Sequence, residues 1–224
     1  MITPEKIDNE DILTISDLRH EQPISKQKPQ DQSLYYWYKY IPEDKILYFQ
    51  YNTCMDKEGA KKAGYKNYDD FDFSGFSNKF MNAVYDNDFN KLIVDLRNNT
   101  GGNSSLLSNL LGYLPKDKIV NKNVYILISR NTFSAGVLAI LTLKSCFPQS
   151  VIIGEETGGN LNTYGDIKSF TLLNCKANLI CSTKEFRFLD NLKGGLIPQI
   201  TIEQSFKDYE NGVDPIYDFV RNSK

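Results

Sequence analysis

Apolar positions along the 224-residue chain follow two periods, one of about two residues and one of about four. The runs "LYYWYKY" (34–40) and "KILYFQYN" (45–52) are aromatic and β-rich, and "IPEDK" between them predicts a hairpin. Residues 56–69 read as a loop rich in Lys, Gly and Asp. "FDFSGFSNKFMNAVYDND" (71–88) carries Phe73, Phe76, Phe80 and Val84 at helical spacing, which predicts an amphipathic helix. Leu92 to Leu96 is a short continuous strand of the kind buried on both faces. A Gly-containing turn then leads to a helix over about 104–114. "NVYILIS" (123–129) repeats this unit, with a turn at 130–132 and a helix to about Cys146. "SVIIGEETGGN" (150–160) is a third strand ending in a Gly-rich loop. Strands alternating with helices over short connections predict a parallel α/β sheet. After Asp166 the pattern changes to short strands at 167–172, 178–182, 184–188 and 199–202, closed by a helix over about 215–221.

Residues 1–33 are polar, with one apolar alternation at Ile12–Ile15. They read as an N-terminal extension or the remnant of an upstream domain, with the core over 34–224. With 41% hydrophobic and 24% charged residues the chain reads as globular, and its length supports one sizeable core. Net charge is −2 and the 26 basic residues are scattered, which argues against nucleic acid as a partner. The longest apolar run, Ala135 to Leu143, is far too short to span a bilayer. The first residues lack a basic flank followed by an apolar stretch. That predicts a cytoplasmic protein, or an exported one if the chain is part of something longer.

Cys54, Cys146, Cys175 and Cys181 form no CxxC pair and no metal spacing, so they read as reduced, mostly buried thiols and no metal or cofactor is expected. A bridge between Cys175 and Cys181 is expected only in an exported protein. His20 is the single histidine, so a His-dependent triad must use it or a partner chain.

In an α/β sheet, ligands gather at the carboxyl ends of the parallel strands. Three polar clusters follow strands there: "RNNTGGN" (97–103), "RNTFSAG" (130–136) and "GEETGGN" (154–160). None contains GxGxxG or GK[ST], which argues against a nucleotide or phosphate loop. Ser134 stands at a strand-to-helix turn with only Ala135 and Gly136 after it, leaving its hydroxyl unobstructed. Unsatisfied N–H groups of a first helical turn would stabilise an oxyanion, and Gly101–Gly102 could bring a further N–H close. The plainer reading is that Thr132 or Ser134 caps the helix while the glycines turn the chain. Asp95 and Arg97 read as architectural, with Arg97 paired to an acid, and the aromatic hairpin reads as core.

The order "LIVDLRNNTGG", "VYILISRNTFSAG", "VIIGEETGGNLNTYGD" resembles that of the C-terminal-processing (tail-specific) serine proteases, a family that includes the tricorn-type core. "SFTLLN", "CSTKEF" and "GGLIPQITIEQSFKDYENGVDP" resemble its closing hairpins and last strand and helix, so the likeness covers about 45–215. It implies a crotonase- or ClpP-like α/β spiral of parallel strand–helix units with a closing β-hairpin region. It makes Ser134 the nucleophile and the N–H groups of Ala135 and of Gly101 or Gly102 the oxyanion hole. Thr157, Gly158 and Asn160 fall in the substrate or loop segment. The position matching the lysine of the Ser–Lys branch is Asn160, and that of the tricorn-like glutamate falls near Leu192, with Asp190 the nearest acid. Lys184 is left as the candidate base. The segment before Ile46 is too short for the PDZ-type insertion many members carry.

These readings converge on a serine endopeptidase domain acting on a polypeptide that binds extended, completed by an upstream domain or a second copy. The alternatives are a non-catalytic peptide-binding relative without a general base, and an acyl-transfer enzyme of the crotonase fold. The last needs a nucleotide pocket, for which the sequence offers no basic cluster.

Overall fold

Strands β1 (Tyr36–Ile41) and β2 (Ile46–Tyr51) pair antiparallel, with Trp37 opposite Gln50 and Ile41 opposite Ile46, as the aromatic hairpin predicts. The computed structural model describes residues 23–188 and 194–223. From β2 the sheet continues in parallel through β3 (Lys91–Asp95), β4 (Asn123–Ile128) and β5 (Val151–Gly154) to β8 (Ile200–Thr201). The spatial order is β1-β2-β3-β4-β5-β8, and β6 (Thr163–Thr171) and β7 (Asn178–Phe186) form a separate antiparallel hairpin.

Helices α1 (Lys57–Lys62) and α2 (Phe73–Asp86) connect β2 to β3, and α3 (Ser105–Tyr113) and α4 (Lys116–Ile119) connect β3 to β4. Helix α5 (Ala135–Cys146) connects β4 to β5, and α6 (Phe206–Glu210) and α7 (Pro215–Asn222) end the chain. Alternate strand residues serve the two faces, which is why β2 and β3 are buried throughout. Leu47, Phe49, Val94, Ile126 and Ile152 pack under Phe76 and Phe80 of α2, Leu107 and Leu110 of α3, and Ile140 of α5. On the other face Trp37, Tyr48, Ile93, Leu127 and Ile153 meet Ile24 and Ile216 and Val220 of α7. Ile24 thereby joins part of the polar extension to the core.

Lys91 secures α7 from beneath. Its Nζ donates to the carbonyls of Val220, Arg221 and Ser223 at 2.6–2.9 Å, a cation at a helix C-terminus where the exposed carbonyls favour it.

Several expectations change. The 56–69 stretch contains α1, whose N-cap Asp56 accepts from the Gly59 N–H, and residues 178–182 and 184–186 belong to one continuous strand. Short helices α4 and α6 lie where no period is long enough to announce one. Only Cys54 is buried, while Cys146, Cys175 and Cys181 are exposed, and all four are free thiols. Two of the exposed thiols belong to the β6–β7 hairpin, whose residues are almost all exposed. No helix among the described residues is long and apolar enough to cross a membrane.

Candidate functional site

Parallel register brings the carboxyl ends of β3, β4 and β5 side by side, Asp95 opposite Leu127 and Ile128 opposite Gly154. The three polar loops therefore meet at one sheet edge, and they interlock backbone to backbone. A Cβ on Gly136 would lie 2.7 Å from the Asn99 carbonyl oxygen, and one on Gly159 would lie 2.9 Å from the Ser134 nitrogen. Glycine is required at both positions because the neighbouring chain occupies the space a side chain needs.

Ser134 holds a backbone conformation of φ +51° and ψ −123° at the N-terminus of α5. That region is sparsely populated for a residue with a Cβ, and such a conformation costs on the order of 1–3 kcal/mol. The turn leaves Ser134 exposed while Ala135, Gly136 and Val137 are buried immediately behind it. Its hydroxyl forms no cap and accepts or donates no hydrogen bond among the described residues. Thr132 is no cap either. Its Oγ1 donates to the Leu96 carbonyl at 2.9 Å and accepts from the Ser129 N–H at 3.0 Å, tying the turn to β3. The capping reading of both residues is therefore corrected: one hydroxyl is free and the other braces the loop.

The N–H that follows Ser134 and one N–H of the glycine turn are unused. Neither the Ala135 N–H nor the Gly102 N–H donates a hydrogen bond among the described residues. Gly101 differs, because its N–H donates to Asn99 Oδ1 at 2.9 Å and its carbonyl accepts from the Cys54 N–H at 2.9 Å. Gly101 lies directly against the serine, and a Cβ built on it would stand 3.1 Å from Ser134 Oγ and 3.0 Å from the Ala135 nitrogen.

Asn99, which sequence reasoning passed over, organises this arrangement. It is fully buried, its Nδ2 donates to the Tyr51 carbonyl at 2.8 Å, and its own carbonyl accepts from the Phe133 N–H at 2.8 Å. One residue thus joins β2 and the glycine turn through its side chain and the loop bearing Ser134 through its backbone. Cys54 Sγ also approaches Asn99 Oδ1, at 3.4 Å. Burial pushes the Cys54 thiol up to about 11, outweighing its hydrogen bonds with Tyr51 and Asn99, so it stays protonated near neutrality.

The third loop contributes structure. Thr157 is buried, its Oγ1 donating to the Gly159 carbonyl at 2.7 Å and accepting from the Leu196 N–H at 2.8 Å. A Cβ on Gly158 would lie 2.1 Å from the Arg130 carbonyl oxygen. Asn160 is exposed and bridges to Gly195. Lys184 is brought to none of these groups: it stands on β7, opposite Gly165, with its ammonium 3.9 Å from Asp166 and 4.6 Å from the centre of the Phe186 ring. Its side chain is 59% exposed, so the buried setting its role as a base relied on is absent. His20, Asp190 and Leu192 lie outside the described residues.

Beneath the loops, Arg97 forms a buried cluster with two acids. Its guanidinium donates to Asp95 at 2.6–3.1 Å and in a two-pronged pair to Asp214 at 2.7 and 2.9 Å. Tyr48 adds its hydroxyl to Asp95 and Gln50. Burial works against the Arg97 charge, but Asp95 and Asp214 outweigh it and hold the guanidinium firmly protonated. The pairing expected for Arg97 is thus present twice over, and it fixes the end of β3 from which the first loop departs.

No family model and no curated protein sequence matches the chain. Solved structures do. A candidate S41 protease from Bacteroides fragilis superposes with a TM-score of 0.54 at 16% identity, over 79% of this chain and 53% of that one. The tricorn protease gives 0.53 at 19% identity, over 81% and 18%. Mature CPAF complexed with lactacystin gives 0.54 at 14% identity, over 89% and 56%. The chain has the α/β fold of these protease structures, and it spans about half the length of two of them and a fifth of the third.

Proposed function

We propose that the chain is a serine-type peptidase domain in which Ser134 attacks a peptide carbonyl. The observation that carries this reading is the strained turn at Ser134, which presents a free hydroxyl next to the unused Ala135 N–H and against the glycine turn at 101–102. Attack forms the Oγ–carbon bond and moves the carbonyl electron pair onto oxygen. The N–H groups of Ala135 and Gly102 hold that oxyanion, each such donor being worth about 2.7–4 kcal/mol in the transition state. Gly102 takes the role because Asn99 already uses the Gly101 N–H. Collapse expels the amine with a proton and leaves an acyl-enzyme, which water hydrolyses. Lys184 serves as the base only once its exposed hairpin closes on the serine; otherwise the base is a group supplied by an upstream domain or second copy. The substrate is a polypeptide lying extended along a sheet edge.

A serine-directed fluorophosphonate tests this. Labelling of the wild type, lost in Ser134→Ala, supports the nucleophile, and loss in Lys184→Gln as well assigns the base. Equal labelling of wild type and Ser134→Ala, in monomer and oligomer preparations, overturns it. The unpartnered Ser134 hydroxyl also favours a second reading, a peptide-binding relative without a base, marked by peptide affinity without labelling.

A further inference from the structure

Helix α5 has Ser134 at one end and a second cleft at the other. Its 12 residues span about 18 Å, so the two places are separate. The cleft, about 520 Å³, lies at the amino ends of β4 and β5, within the range of roughly 300–1,000 Å³ that small-molecule sites occupy. Leu111 of α3, Leu114 just after it, Ile119 of α4, Val124 of β4 and Phe147 after α5 give it apolar walls.

Its polar lining combines neutral side chains, Asn123, Ser145, Gln149 and Ser150, with charge of one sign. Lys116 and Lys122 are the only charged residues lining the cleft, and neither forms an ion pair among the described residues. Lys122 lies instead over the Phe89 ring, 5.3 Å from its centre. Ser150, also in the lining, is 2% exposed, and its hydroxyl has no hydrogen-bond partner. A buried hydroxyl left so is costly, which marks a place where a ligand oxygen is accommodated.

We propose that this cleft is a second ligand site for an amphipathic carboxylate, its aliphatic chain between α3, α4 and the end of α5 and its headgroup met by Lys116 and Lys122. Apolar walls select the chain, and the two cations with the Ser150 hydroxyl select the anion. A neutral ligand would leave the positive charge of the cleft unanswered within it, and a compact inorganic anion would leave the walls uncovered. The site stands independently of any chemistry at Ser134.

Cys146, an exposed thiol in the lining, provides the readout, with Cys175 and Cys181 on the distant hairpin as internal references. The whole chain is alkylated with N-ethylmaleimide in the presence of decanoate, and the rate at each cysteine is followed by peptide mass mapping. Near-saturating decanoate should slow Cys146 by about fivefold, the protection that roughly 80% occupancy gives, and leave the references unchanged. Decanol should protect far less, and the double variant Lys116→Gln/Lys122→Gln should lose protection while unfolding at the same temperature. An unchanged Cys146 rate, equal slowing at all three thiols, or protection that survives the double variant would overturn the proposal.

Discussion

A Cβ placed on Gly101 would stand 2.7 Å from the Ser134 Cβ, closer than two carbon atoms can approach without displacement. The glycine also holds φ at +105°, a conformation that side chains rarely adopt. Gly101→Ala should therefore lower unfolding stability by about 2 kcal/mol or more and abolish fluorophosphonate labelling, both read on one preparation. Wild-type stability in that variant would contradict the close approach.

Ser134 itself stores strain that a glycine would release. Ser134→Gly should raise the unfolding free energy by about 1 kcal/mol relative to Ser134→Ala, since only glycine tolerates this backbone at little cost. Urea unfolding of the two variants measures the difference. Equal midpoints would mean that the turn relaxes when its hydroxyl is lost.

Asn99 ties the end of β2 to the glycine turn through one buried amide, so its removal should act at a distance from the hydroxyl. Asn99→Ala leaves the Gly101 N–H and the Tyr51 carbonyl unpaired, which predicts a loss of about 2–4 kcal/mol. Labelling at Ser134 should fall even below the unfolding temperature, because the glycine turn is then free to reorient. Unchanged labelling kinetics would limit Asn99 to a purely stabilising part.

The Cys54 thiol makes stability depend on alkaline pH. Its folded value of about 11 lies above the ordinary 9.0, so between these values unfolding releases a proton. Its contribution is complete below pH 9.0 and is lost as pH rises toward 11. Wild type should thus lose more stability than Cys54→Ala between pH 8 and 10.5, while Cys146, Cys175 and Cys181 should alkylate rapidly in the native state and Cys54 slowly. Parallel pH profiles for the two proteins would refute this.

Asp214→Ala should cost about 3–5 kcal/mol, because it leaves the buried Arg97 guanidinium with half of its counter-charge. Increased hydrogen exchange should appear first in α7, whose N-cap the same carboxylate provides through the Tyr217 N–H. Arg97→Met, which removes the cation and leaves two buried acids, should be at least as damaging.

Much of this architecture was readable because the relevant signals are local. Phe73, Phe76, Phe80 and Val84 repeat on one face of α2, and each strand–turn–helix unit announces itself by a change of period. Loop order then placed Ser134 at the carboxyl edge. What escaped depends on contacts between distant residues. Asn99 looks like any loop asparagine until β2 delivers the Tyr51 carbonyl to it. The spent N–H of Gly101 and the open one of Gly102 are indistinguishable in "TGG", since only the Asn99 side chain separates them. Lys184 reads as a candidate base, and only the β6–β7 hairpin shows that it is exposed rather than buried. Cys175 and Cys181 were misjudged for the same reason, as apolar spacing does not reveal that a hairpin leaves the body of the protein.

The Arg97 cluster also has a temporal side. Arg97 and Asp214 are 117 residues apart, so at about 5–20 residues per second the arginine is synthesised roughly 6–23 seconds before its second acid exists. Until then the cation at this end of the sheet has Asp95 alone as its buried counter-charge. The pairing of Arg97 with Asp214 is therefore a late event in synthesis, completed only once α7 has been made.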